Sequence, residues 1–197
     1  MHGASNCTRC PGNSTSSAGS TSIADCLTCA AQQASRSSCL NYLPSISGDA
    51  GGWRLVRHLQ PTSSWHPTTD RLQGTVTYGT PGYDVNAWSV QFGSFNEFLF
   101  ASGDKSNWLI ATRAAVIGQS YQNAWRDIVK SSTSASAYQA RWYNRDGSLE
   151  DPWISLTDHD TAISNGQLLY GGNSFGSTHA SYISVQGGMN VFVRSTA

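Results

Sequence analysis

The chain has 197 residues, and its 12 Lys and Arg balance 12 Asp and Glu, giving a formal net charge of zero. A neutral chain without a basic block argues against a nucleic-acid partner and against adsorption to an anionic membrane. No run of about eighteen apolar residues exists, so no membrane insertion is expected. Only 12% of residues are charged, while Ser, Thr, Gly and Asn are abundant and there are seven Trp. Such a composition is typical of secreted β-proteins and sets the expected localisation as extracellular. Met1 to Asn6 carries no basic-then-apolar signal region, so the reading expects part of a longer polypeptide with any signal upstream.

All five cysteines fall early, at Cys7, Cys10, Cys26, Cys29 and Cys39, which marks a composition boundary. Residues 1–40 read as a small cysteine-rich module, 41–51 as a linker and 52–197 as the main domain. The C-x2-C-x15-C-x2-C spacing fits a tetrahedral zinc site on its face. The near absence of Lys and Arg, the small polar stretch PGNSTSSAGSTSIAD and the fifth cysteine favour disulfides instead. Two glycosylation sequons, at Asn6 and Asn13, agree with an oxidising, secreted setting.

The run CTRCPGNSTSSAGSTSIADCLTCA resembles the ephrin-receptor-like cysteine-rich repeat, with its C-x2-C-P-x-G, polar stretch and second C-x2-C. That resemblance implies that Cys10 pairs with Cys26 and Cys29 with Cys39, leaving Cys7 for a cysteine upstream. The aromatic that usually follows the Gly in that family is replaced here by Ser14 or Thr15.

In the main domain, Trp53 to Leu59 alternates large apolar and basic residues, as a half-buried strand does. Further strands are expected at Gly74 to Tyr78, Ala87 to Phe92, Glu97 to Ala101, Trp108 to Thr112, Ala137 to Tyr143, Trp153 to Leu156, Gln167 to Tyr170, Tyr182 to Val185 and Asn190 to Arg194. Turn signals such as Ser102-Gly103-Asp104 and Gly187-Gly188 separate them. Helix is expected only at Gln122 to Lys130, with Ala124, Ile128 and Trp125 inward, and as a turn over Thr157 to Ile163. The predicted class is therefore mainly β, an antiparallel sandwich-like or lectin-like domain with few short helices, preceded by a small disulfide-rich module.

Segments from GGWRLVRHL through FNEFLFASGD and EDPWISLTDH to NVFVR resemble an uncharacterised extracellular domain of large algal and giant-virus proteins. The opening GGW-x-LV, the middle FNEFLF and the closing VFVR also resemble fibrinogen-like and intelectin-like lectin domains, whose cysteines are absent here.

Three loops carry candidate chemistry. Trp65, His66 and Asp70 flank Pro67, which holds His66 extended; they can stack on a sugar and bond its hydroxyls, or else pin the loop through the core and the backbone. Asp151, Asp158 and Asp160 form an acidic group with Glu150 and His159, suited to the oxygen-rich shell of Ca2+; alternatively Asp158 caps a helical turn. Ser102 to Trp108 reads first as a hairpin turn and second as a ligand loop through Asp104 and Asn107. His179, in GNSFGSTHA, is a further ligand-binding candidate and the most plausible base, but no nucleophile motif accompanies it. The functional expectation is a binding or adhesion module for glycans, with calcium as the one cofactor considered and no enzyme activity. A purely structural surface repeat and, third, a polysaccharide-degrading enzyme are the alternatives.

Overall fold

The runs EFLFAS and MNVFVR are apolar through their centres, Phe98 to Ala101 and Val191 to Val193, and a strand of that kind can be stable only where both of its faces are covered. A computed structural model of the chain bears this out. It describes residues 52–60, 70–81, 87–117, 124–143, 151–158, 168–171 and 188–196, with two isolated strands, β1 (Ser14–Thr15) and β2 (Leu27–Thr28), paired antiparallel. The expected strand at Tyr182 to Val185 lies outside the described residues, as do the five cysteines and both sequons.

The main body is a six-stranded antiparallel sheet. Its strands are β3 (Arg54–Leu59), β4 (Trp88–Ser89), β5 (Glu97–Ser102), β6 (Trp108–Thr112), β8 (Lys130–Ser131) and β12 (Met189–Arg194), in the order β4-β3-β12-β5-β6-β8. The last strand in the chain thus occupies the middle of the sheet, paired along its length with β3 and β5. Gly188, just before it, has φ +96°, and a Cβ there would meet Leu59 O at 2.2 Å. Only glycine lets the backbone approach so closely.

Alternation sorts the strand residues onto two faces. Phe98, Phe100, Leu109, Met189, Val191 and Val193 face one core. Leu99, Ala101, Ile110 and Phe192 face the other, together with Trp53. Over the first face lie β7 (Ala124–Ile128) with β9 (Tyr138–Trp142), and β10 (Ile154–Ser155) with β11 (Leu168–Tyr170), each pair antiparallel. They supply Ile128, Ala140, Trp142, Ile154, Leu168 and Tyr170 to the shared core. Phe98 stacks on Phe100, and Phe100 meets Trp142 edge to face, an arrangement that ring quadrupoles favour. The fold is mainly β and antiparallel, as the sequence predicts.

The residues 124–131 belong to both layers. Ala124–Ile128 pairs with β9, Val129 N–H donates to Ile110 O at 2.8 Å, and Lys130–Ser131 pairs with β6. A strand that changes partners in this way turns the corner between two sheets.

Two expectations are corrected. Gln122 to Lys130 is not helical in its described part, because the β7–β9 pairing claims residues 124–128. The β3 strand is not half-buried, since Arg57 and His58 are neighbours in sequence and both are buried. The single helix among the described residues, α1 (Arg113–Val116), is one turn, capped by the Thr112 hydroxyl accepting from Ala115 N–H.

Candidate functional site

Arg57 lies at the centre of the β3 strand with no exposed surface, so its charge must be met inside the protein. Five acceptor contacts meet it. Nε donates to Ser89 Oγ at 3.0 Å, and Nη1 to Asp151 Oδ2 at 2.6 Å and Tyr170 Oη at 3.2 Å. Nη2 reaches both Asp70 oxygens, at 3.2 and 3.1 Å. Below the guanidinium lies the Phe92 ring, 4.8 Å away.

The two carboxylates are themselves pinned. Asp70 accepts from the Thr75 and Val76 amides, at 2.8 and 3.0 Å. Asp151 accepts from Leu72 N–H at 2.9 Å and from the Tyr170 hydroxyl at 2.6 Å. Arg71 and Leu72 adopt φ of 51° and 60°, a conformation costly for residues with a Cβ and kept only where the surroundings over-determine it. Burial pushes the Asp70 carboxyl up, but Arg57 and the two amides outweigh it and leave it below the usual range. For Asp151, burial prevails over Arg57 and the proton donors and leaves it raised. Burial likewise raises the hydroxyls of Tyr78 and Tyr170. With its donors matched and its carboxylates enclosed, this cluster locks the 70–76 turn, β10–β11 and β3 together. It has the character of a structural keystone.

The predicted site residues are therefore placed as follows. Asp70 and Asp151 face inward onto Arg57, which corrects the expectation of a ligand-facing Asp70 and a calcium-binding Asp151; their oxygens are enclosed and already bonded. Asp158 is separately engaged, with Oδ1 2.8 Å from Arg141 Nη2. Among the described residues no group of three or more His, Cys, Asp or Glu side chains is placed to hold a metal ion. Asp104 holds the β5–β6 hairpin: its Oδ1 accepts from Ser102 Oγ, Ser106 N–H and Ser106 Oγ. The little burial there pushes its carboxyl up, yet these hydrogen bonds prevail and lower it. Asn107 closes the same turn through its backbone, its carbonyl accepting from Ser102 N–H at 2.9 Å. Trp65, His66, Asp160 and His179 lie outside the described residues.

What sequence reasoning missed is on the β7–β9 ribbon. Cross-strand partners share a face, so the register Trp125↔Arg141 and Asp127↔Gln139 puts these four side chains together, opposite the inward Arg126, Ile128, Ala140 and Trp142. Trp125 is 58% exposed, whereas Trp53, Trp88, Trp142 and Trp153 are all buried. Gln139 Nε2 donates to Asp127 Oδ1 at 3.0 Å, and Asp158 adds its carboxylate beside Arg141. The face is an open aromatic plate rimmed by planar polar groups.

No family model matches the chain, and no curated protein or solved structure matches it either. The signal for this face was present in the sequence as the period-two pattern of Ala124, Arg126 and Ile128 against Trp125 and Asp127. It is short enough to be mistaken for two helical turns.

Proposed function

We propose that the main domain is a glycan-binding module, working at an extracellular, cell or virion surface, and that its contact face is the outward side of the β7–β9 ribbon. The observation that carries this reading is the exposure of Trp125 beside Asp127, Gln139 and Arg141. Exposing one large indole on a rigid ribbon while four other Trp side chains are buried is a cost that a purely structural repeat does not need to bear. A sugar ring offers what the face lacks, a flat apolar C–H side for the indole and hydroxyls for the polar rim. The unbroken five-pair ladder of the ribbon supports the reading indirectly, since sites on strands hold their geometry better than sites on loops.

The test is retention of the whole chain on a panel of immobilised polysaccharides, compared with Trp125→Ala. Binding to at least one glycan that the variant loses, with the variant's unfolding midpoint unchanged, supports the proposal. Equal retention of both proteins, or of neither, removes Trp125 from any such role.

A further inference from the structure

The ribbon face also carries information about which glycan it takes, and this step rests on the glycan-binding reading. We infer that the face is selective for neutral glycans over those bearing carboxylate or sulfate groups. Among the four side chains of the face the one cation is Arg141, and it is already paired with Asp158 at 2.8 Å. Asp127 is paired with a neutral partner, the Gln139 amide, so its negative charge is uncompensated by that contact. An anionic glycan laid across Trp125 meets a carboxylate next along the strand, about 7 Å away by strand geometry, and no unpaired guanidinium among the four side chains.

Hydrogen-bond type points the same way. The Gln139 to Asp127 bond uses one amide hydrogen and one carboxylate oxygen, leaving carboxylate and amide oxygens as acceptors and a second amide hydrogen as donor. A hydroxyl both donates and accepts, so it satisfies either group. A sulfate or carboxylate only accepts, so it can use the spare Gln139 hydrogen but cannot donate to the remaining Asp127 oxygen. The patch also suits a sugar better than a protein. A stable protein interface covers roughly 800 Å² on each side, whereas the large exposed apolar side chains among the described residues are only Trp125 and Val129.

The experiment measures binding of the whole chain to three polysaccharides with a shared backbone: unmodified, oxidised to uronate and sulfated. It is run at low and high salt, with the wild type, Trp125→Ala and Asp127→Asn. The expected result is retention on the neutral polymer, at least roughly tenfold weaker binding to both anionic ones at low salt, and a narrowing of that gap in Asp127→Asn. Trp125→Ala should lose the neutral polymer. Stronger binding to an anionic polymer, still lost in Trp125→Ala, overturns the neutral selectivity and leaves the glycan reading standing. Binding indifferent to Trp125→Ala, or absent from all three polymers, overturns both.

Discussion

Trp125 and Trp142 sit on the two strands of one ribbon and have opposite fates. Trp142 is buried, and its indole Nε1 donates to Ser155 O at 2.9 Å. Trp142→Phe leaves that carbonyl without its donor and should cost about 1–3 kcal/mol, read as a lowered urea midpoint. Trp125→Ala touches no such partner and should stay within about 0.5 kcal/mol of wild type, so the pair separates function from stability. At Arg57 the expectation is harsher. Arg57→Met fits the volume but strands two buried carboxylates, and removing one member of a buried ionic group costs roughly 3–5 kcal/mol. A midpoint close to wild type in that variant would show that Asp70 and Asp151 do not depend on the guanidinium. These residue-scale roles were only partly legible in advance. The backbone-bonding reading of the Trp65 to Asp70 loop anticipated that Asp70 accepts from nearby amides, and the hairpin reading fitted Asp104. Nothing in the spacing could reveal that Asp70 and Asp151 converge on Arg57, because those partners lie 13 and 94 residues away.

At the scale of elements, strands with strong β-branched and aromatic content were legible almost to the residue. Trp108 to Thr112 is the β6 strand as observed, and Glu97 to Ala101 falls one residue short of β5. The runs Gly74 to Tyr78 and Ala87 to Phe92 shrink to a single bridge at Tyr78 and the two residues of β4. There the chain bonds to Asp70 and Phe92 rather than to a full ladder. The β7 segment was misread because apolar residues four apart, Ala124 and Ile128, fit a helix face as well as a corner strand. Such strands are joined at points where only one residue type fits. Gly188→Ala should therefore do more than lose glycine's flexibility: it pushes a methyl into Leu59 O and strains a positive φ. We expect a loss above about 1 kcal/mol and faster amide exchange along both β3 and β12. Unchanged exchange on β3 would mean that the two strands are not held by that close approach.

For the whole molecule, the buried hydroxyls set a pH limit. Tyr78 and Tyr170 are raised above their ordinary value by burial, so the folded state prefers them protonated. The sign follows directly: their contribution to stability is complete below the unfolded tyrosine value of about 10 and is lost as pH rises above it towards the folded values. The urea midpoint should hold level on this account up to about pH 10 and then fall, with phenolate absorbance appearing together with unfolding. Phenolate forming while the fold is intact would show these hydroxyls to be open to solvent.

The central place of β12 also bears on how the protein is made. Strands β3 and β5 leave the ribosome well before residues 189–194, yet each is paired in the finished sheet to that later strand. Until it arrives, β3 and β5 each present one unpaired edge, which invites pairing with other chains. The nascent protein is thus most exposed to aggregation in the interval between synthesis of β5 and insertion of β12.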